Sequence, residues 1–276
     1  MSDVSRLDFS NRNLRNRSFQ GKNLIGADFR GADIRGCNFG NAELIGANFE
    51  QARAGATSQQ LLPLVAMALG FAGMLAYGAS HLVFASLGQT PEQPAWLSVV
   101  VLHLFLGMAG AGAASRPLLR WHSPLGRWAM DISGMCSGAL TGFFYVGSAA
   151  NENAQAAIAG AVVGAGVMAA LRVRFAKRMA VVMPAMGAVA AYGFAFLVWT
   201  VAIAWLQTER YGWSLLLGTI SLIYIWCVVR ALRAARDAMR RLTGTSFAGA
   251  NITQARFDPT MFNQADFSGV IDGSQE

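Results

Sequence analysis

Charged residues are scarce in this chain. Only 13% of its 276 residues are Asp, Glu, Lys or Arg, whereas 54% are hydrophobic. So few charges, together with long apolar runs, indicate a membrane protein. Most of the net charge of +7 lies among those runs. We therefore interpret it as a signal of membrane topology and expect no nucleic-acid partner.

The residues that carry most catalytic and metal chemistry are also few. The three cysteines, Cys37, Cys136 and Cys227, share no metal or redox spacing, and there are only three histidines. The sequence contains no Gly-rich phosphate loop followed by Lys and Ser or Thr, and no nucleophile–base arrangement. Residues 1–60 contain no long apolar run, so no signal peptide is expected. We expect no enzyme activity, no cofactor and no metal site.

A strict five-residue period occupies the start of the chain. Every fifth residue from 9 to 49 is large and apolar, and the residue before it is mostly Asp or Asn. This period suits neither an amphipathic helix nor a strand, and it marks an internal repeat. A shorter run of the same kind lies near the other end. The residues expected to point inward are Phe9, Leu14, Phe19, Leu24, Phe29, Ile34, Phe39, Leu44, Phe49, Phe247, Ile252, Phe257, Phe262 and Phe267.

The motif resembles the pentapeptide-repeat family, most clearly at residues 27–31 and 47–51. The resemblance, here to a membrane-embedded member of cyanobacterial or bacterial type, implies a right-handed quadrilateral β-helix with four repeats in each coil. Residues twenty apart, such as Phe9 and Phe29, would then stack. Because the second run is little more than one coil, we expect it to stack on the first as one composite β-helix. The resemblance implies a fold and no particular activity.

Six apolar segments lie between the two repeat runs. They cover roughly residues 61–87, 95–115, 129–150, 154–171, 180–206 and 213–232. Each is long enough to cross about 30 Å of hydrocarbon, and short connections join them into three hairpins. Lys and Arg are concentrated in alternate connections, which places both termini in the cytoplasm. The expected location is therefore a bacterial inner membrane or a thylakoid membrane.

The predicted fold class is an α-helical membrane protein with a small cytoplasmic β-helix. Residues 1–54 and 244–272 form the two parts of the β-helix, and residues 55–60 form a linker. Residues 61–232 form the six-helix transmembrane domain, and residues 233–243 continue its last helix. This basic extension is expected to attract anionic lipid at about 1 kcal/mol per residue near the surface. Its basic residues are Arg233, Arg236, Arg240 and Arg241.

Glycines recur at every fourth position in the third and fourth predicted spans. Such spacing lets helix backbones approach closely, so a tightly packed hairpin is expected there. The glycines are Gly134, Gly138 and Gly142 in one span and Gly160 and Gly164 in the other.

A polar stripe accompanies those glycines. Asp131 is expected either to pair with Arg127, one turn earlier, or to attract a cation at the mouth of a path. That path would follow Ser133, Ser137 and Thr141. The alternative is a structural role, in which these hydroxyls bond to the backbone or to a neighbouring helix.

Two histidines lie within the predicted spans. His81 and His103 are placed symmetrically about the turn that joins the first two spans, so we expect them at similar depth on neighbouring helices. They would serve in packing, in sharing a proton or in holding an ion, although two ligands are too few for a closed metal site.

Two outward strips are predicted on the β-helix. Ile25 and Ile45 would form an apolar strip, and Arg15 and Arg35 a basic strip on the opposite face. An exposed apolar strip on a repeat protein suggests a docking surface for a second copy, a protein partner or the membrane domain itself.

Two functions are compatible with these features. The first is a membrane-anchored interaction or assembly protein, in which the β-helix docks a partner. The second is a homo-oligomeric ion channel or small transporter, with a path along the third and fourth spans and the β-helix as a collar or gate. The repeat domain and the absence of a strong charged path favour the first.

Overall fold

The computed structural model describes residues 7–89, 92–93, 96–115 and 124–273, apart from the side chains of Pro124, Phe262 and Asn263. These residues divide into two compact units. The repeat unit consists of Met1–Leu64 together with Asp237–Glu276, and the helical unit consists of Val65–Arg236.

The repeat unit is a stack of short coils, in which residues twenty apart pair in parallel. Asp8 pairs with Asp28, and Asp33 pairs with Arg53. The N–H groups of one coil donate to carbonyl oxygens of the next, and the Phe9 N–H reaches its acceptor on Asp28 at 2.8 Å. The predicted twenty-residue register is therefore present in the structure.

The corners of the coils explain why Gly or Asn recurs in the motif. The residue two after the inward side chain has a positive φ throughout the first run, from 54° at Asn11 to 70° at Gly36. Glycine adopts this conformation without steric cost, and Asn tolerates it better than most residues. The five-residue period is therefore a sequence of sharp left-handed corners separated by short extended sides.

Aromatic rings fill the interior of the stack. Phe29, Phe39, Phe49 and Phe247 are fully buried. Rings twenty apart lie face to face, with centroids 4.7 Å apart for Phe29 and Phe49 and 5.0 Å apart for Phe39 and Phe247. Rings of the two facing columns meet edge to face, a favoured aromatic geometry. The side chain of Phe262, predicted as a core residue, lies outside the described part of the structure.

The C-terminal run continues the same stack. Strand β1 (Asn48–Phe49) pairs with β3 (Arg256–Phe257), and β2 (Thr245–Ser246) pairs with β4 (Ala265–Asp266). A short 3-10 helix, Pro259–Asn263, separates β3 from β4. Both repeat runs therefore share one hydrophobic core.

The helical unit is inserted into this stack without any change in register. Ser246 pairs with Asn38, so it takes the position that residue 58 would take in an uninterrupted run. Gly244 and Thr245 fill the two positions before it. The buried Thr245 hydroxyl donates to the Ile34 carbonyl at 2.9 Å and accepts from the Gly55 N–H at 3.0 Å. The point where the chain leaves the stack and the point where it returns therefore share one hydrogen-bonded group.

Six helices follow the order predicted from the apolar segments. They are α1 (Ser58–Ser86), α2 (Trp96–Ser115), α3 (Pro124–Ala149), α4 (Ala154–Arg174), α5 (Ala176–Gln207) and α6 (Tyr211–Thr243). Among the described residues, five of them are long and apolar enough to cross a membrane: α1, α2, α4, α5 and α6. Helix α3 is not in this set, because Arg127, Asp131 and a row of hydroxyls and glycines dilute its apolar character.

Helices α3 and α4 pack with their backbones in close contact. A Cβ atom added to Gly142 would fall on the Gly160 carbonyl oxygen, and one added to Gly164 would fall on the Gly138 carbonyl oxygen. The turn between the helices is short, and the Asn153 side chain caps α4 by accepting from Gln155 N at 2.9 Å. The backbones of the two helices therefore meet at these four glycines.

Gly134 belongs to a different contact from the one that its spacing predicts. A Cβ atom there would collide with Met183 on α5 rather than with α4. Helix α5 is the most buried of the five apolar helices, and a Cβ atom added to its Gly187 would collide with Ala113 on α2. Small residues therefore mark places where two helices come close together. Their spacing along the sequence does not show which helix lies opposite.

Candidate functional site

The face that carries the predicted basic strip is a cluster of three charged residues. Asp33 lies between Arg15 and Arg35 and accepts from both. Arg15 Nε donates to its Oδ2 at 2.7 Å, and Arg35 Nε donates to its Oδ1 at 2.9 Å. Arg35 forms a fork, because its second nitrogen reaches Asp33 Oδ2 at 2.7 Å. The two arginines are therefore held in place by one shared carboxylate.

This arrangement changes the charge of the face. Hydrogen bonds from Arg35 and, to a smaller extent, from Arg15 hold the pKa of Asp33 well below its usual range, so the carboxylate stays ionised. The strip carries one net positive charge from these three residues instead of two. Asp33 was not among the predicted surface residues, although it occupies the regular Asp or Asn position of the repeat.

The predicted apolar strip is uneven. The Ile25 side chain is 50% exposed, whereas Ile45 is half-buried. A third isoleucine lies on the same face, because Glu43 pairs with Asn251 and Asn251 pairs with Ile271. Ile271 is 60% exposed. We use the name isoleucine face for Ile25, Ile45 and Ile271, the last of which was not among the predicted docking residues.

A cleft of about 460 Å³ lies within the repeat unit, beside the corner where the chain leaves the stack. Arg240 and Arg241, from the last turn of α6, line it together with Gln264 and Asp266. The other two arginines of the predicted lipid-binding set, Arg233 and Arg236, are exposed on α6. The cleft thus combines basic and acidic groups.

Asp131 has a different partner from the one predicted. Arg172 Nε donates to Asp131 Oδ1 at 2.7 Å, which makes an ion pair between α3 and α4. Asp131 thus pairs with the neighbouring helix rather than with Arg127 on its own helix, because the close approach of α4 brings the Arg172 cation within reach. The carboxylate thus joins two helices.

The three hydroxyls of the predicted path have different surroundings. The buried Ser133 hydroxyl donates to the Ala109 carbonyl on α2, and Thr141 donates to the Ser137 carbonyl one turn earlier at 2.8 Å. Ser137 is also buried, and its hydroxyl is the only buried side-chain polar atom without a hydrogen-bond partner among the described residues. Two of the three hydroxyls therefore bond to backbone, as in the alternative in which they serve helix packing and do not line a path.

The two histidines occupy different surroundings. His81 stacks on Phe144 with ring centroids 5.4 Å apart and meets Tyr77 edge to face. His103 Nδ1 lies 2.7 Å from the Val99 carbonyl oxygen, and its ring meets Phe194 edge to face. The described contacts do not bring the two imidazoles together. Over the described residues, no group of three or more His, Cys, Asp and Glu is placed to hold a metal ion.

The cysteine of the repeat unit is a core residue. Cys37 is buried at a corner, where its Sγ donates to the Leu14 carbonyl at 2.9 Å. Burial raises the pKa of this thiol to about 11, so it stays protonated and unreactive at neutral pH.

Together these features define a repeat protein whose stack is interrupted by a mostly apolar helical unit. Both terminal regions are pentapeptide repeats. The model of that family, described as pentapeptide repeats, matches residues 8–42, 23–54 and 241–271 in eight copies. The six helices lie almost wholly outside these matches. No curated protein and no solved structure matches the chain.

Proposed function

We propose that this chain is a membrane-anchored interaction or assembly protein. Its repeat unit, folded as a right-handed quadrilateral β-helix, would dock a partner, and the apolar helices would hold it at a bacterial inner or thylakoid membrane. The observation that carries this proposal is the unbroken register of the stack across the inserted helices. Both ends of the helical unit are tied to a single repetitive body, which suits an anchored platform.

The shared stack also bears on the membrane topology. If the helical unit spans a bilayer, the chain must return to the side it left, because residues 38 and 246 pair directly. The number of crossings is then even. Five helices qualify by composition, so α3 would be the sixth span, and its polar groups would be tolerated because α2, α4 and α5 surround it. Both termini would lie in the cytoplasm.

The isoleucine face is the proposed docking surface. Ile25 and Ile271 are large, apolar and exposed on a rigid coil, where a protein partner or a second copy of the chain would cover them. Anionic lipid headgroups would be attracted by the basic residues near the end of α6, which are Arg233, Arg236, Arg240 and Arg241. The proposal assigns no catalytic role to any residue.

The alternative, a channel with a path along α3 and α4, has less support. Asp131 is engaged by Arg172, and the hydroxyls of Ser133 and Thr141 are bonded to backbone. A path through these groups would require all three interactions to open.

The first test is the native mass of the complex after mild extraction from its own membrane. We expect the double variant Ile25→Ser, Ile271→Ser to lose a bound protein or a second copy. A control variant, Arg53→Ser, changes an exposed side chain on the face that carries Asp33, opposite the isoleucine face, and should keep the complex. Retention of the complex by the double variant would refute the docking surface. Ion flux in liposomes that is lost with Ser137→Val would favour the channel instead.

A further inference from the structure

A cavity of about 580 Å³ lies inside the helical unit. Ala139, Leu140 and Phe143 of α3 form its floor, and α2 and α4 form its two sides. The last turn of α1 closes it at one end. Helices α2 and α4 both pack on α3, and the cavity fills the space between them. Its volume is within the range of small-molecule sites in proteins, roughly 300–1,000 Å³.

The lining of this cavity is polar at one end only. Its polar side chains are Ser86 in the last turn of α1, Gln89 three residues after that helix ends, and Ser98 in the first turn of α2. The other described lining residues are aliphatic or phenyl side chains. The Ser86 hydroxyl donates to the Val83 carbonyl, which leaves its oxygen able to accept a further hydrogen bond. The cavity therefore has the polarity of a site for an amphiphile.

The length of the cavity follows from the helices that line it. On α2 the lining runs from Leu97 to Phe105, and on α4 it runs from Ala154 to Val162. At 1.5 Å per residue, each stretch is about 12 Å long. Half of the hydrocarbon thickness of a bilayer is about 15 Å. The cavity thus reaches from the ends of the helices most of the way through one leaflet.

The sides of the cavity are open to the surroundings of the unit. Leu97 and Val162, on the two facing helices, are 73% and 69% exposed. Between them the floor residues Ala139 and Leu140 are almost fully buried. A narrow apolar chain can therefore reach the floor from the side, without separating α2 or α4 from α3.

We propose that this cavity binds one acyl chain of a membrane lipid. The tail lies along Leu102 and Leu140, and the glycerol or headgroup oxygens meet Ser86, Gln89 and Ser98. The match in polarity and in length, together with an opening toward the medium that supplies such chains, selects this occupant. The assignment rests on the membrane location proposed above.

The test uses the full chain in phosphatidylcholine nanodiscs that contain a lipid with a photoreactive diazirine in its acyl tail. After irradiation, the labelled residues are mapped by peptide mass spectrometry. We expect labelling within residues 139–143 at the almost fully buried Ala139 and Leu140, which a lipid on the outer surface does not reach. Val167, which is 49% exposed on α4 and does not line the cavity, reports ordinary contact with lipid.

Two matched variants decide the outcome. Ala161→Phe places a ring in the cavity, so labelling at 139–143 should fall roughly tenfold or more while Val167 stays labelled. Ala159→Phe makes the same change at an exposed position outside the lining and should leave the floor labelled. Labelling of Val167 without the floor in the wild type, or equal floor labelling in both variants, would overturn the acyl-chain site alone. Absence of labelling on every helix would overturn the membrane location and the site with it.

Discussion

The two units of this protein build their cores in opposite ways. The repeat unit fills its interior with large stacked rings, such as Phe29 on Phe49. The helical unit removes side chains altogether where α3 meets α4, so that Gly142 and Gly160 touch through their backbones. In the first core a lost side chain leaves a void, whereas in the second an added one finds no space. A large-to-small change should therefore destabilise the repeat unit most, whereas a small-to-large change should destabilise the helical unit.

The most drastic way to test this comparison is to remove one unit. Deleting residues 56–243 joins Gly55 to Gly244, and Ser246 then lies opposite Asn38 with no gap in register. We expect a small, soluble, folded stack, because every hydrogen bond between the two repeat runs is retained. The measurement is amide hydrogen exchange at Phe39, whose N–H donates to the Ser246 carbonyl at 2.7 Å.

The same deletion combined with Phe247→Asp is the control. A carboxylate in place of this fully buried ring prevents the second run from stacking on Phe39, so the Phe39 amide should exchange rapidly. Equal protection in both variants would show that the second run does not stack on the first.

A large-to-small change should strongly affect the repeat unit. Phe39→Ala empties a fully buried site between Phe19 and Phe247, and such changes cost about 3–5 kcal/mol. Phe9→Ala, at the half-buried start of the same core, should cost clearly less. Exchange rates at Gly31 and Gly46 in the full chain measure both effects. Equal losses of stability would show that the fully buried Phe39 and the half-buried Phe9 contribute equally to the core.

A small-to-large change should affect the helical unit next. Gly142→Ala forces a Cβ atom against the Gly160 carbonyl, and we expect roughly 1–3 kcal/mol of destabilisation. Gly166→Ala on α4 meets no atom within 4 Å, so it should stabilise the helix by up to about 1 kcal/mol. Denaturation of the detergent-solubilised protein, followed by circular dichroism, compares the two. The idea of backbone contact fails if both changes have the same sign.

The smallest expected effect concerns the charged face of the stack. Asp33→Asn should cost about 1 kcal/mol at neutral pH, since it removes a carboxylate shared by two arginines. The pKa of Asp33 is lowered in the folded state relative to its unfolded value of about 3.9. Its contribution is therefore present above that pH and is lost as the pH falls further toward the lowered pKa.

Urea titrations at several pH values measure this contribution. The difference between wild type and Asp33→Asn should shrink steadily below about pH 4. Arg35→Gln should cost more than Arg15→Gln, because Arg35 supplies the larger part of the pKa shift. A difference in unfolding free energy that does not change with pH would show that the ionised Asp33 carboxylate does not stabilise the fold.

The sequence predicts the repeat core almost completely. The five-residue period specifies both the corner conformation and the partner twenty residues away, so Phe9, Phe29 and Phe49 could be aligned by counting alone. Counting also placed the second run on the first. Counting could not show that Thr245 takes the place of residue 57. The residues around the junction look the same whether they continue an existing coil or begin a new one.

The helical unit was predictable only in part. Apolar length predicted the helices, and glycine spacing predicted the face along which α3 and α4 meet. A helical face indicates a direction without naming the neighbour, so Met183 opposite Gly134 and Arg172 opposite Asp131 were not foreseen. The cavity was missed for the same reason, because it arises from the space between helices that do not pack on each other.

The unbroken register has a consequence for the order in which the protein acquires its structure. During synthesis, the coil that ends at Gly55 has no neighbour to cover Phe39 and Leu44 until residues 244–251 emerge. At 5–20 residues per second, this interval lasts roughly 10–40 seconds. The N-terminal part of the stack must therefore survive with an open apolar edge while all six helices are made. Completion of the stack is the last folding event, and it can occur only when the chain has returned to where it began.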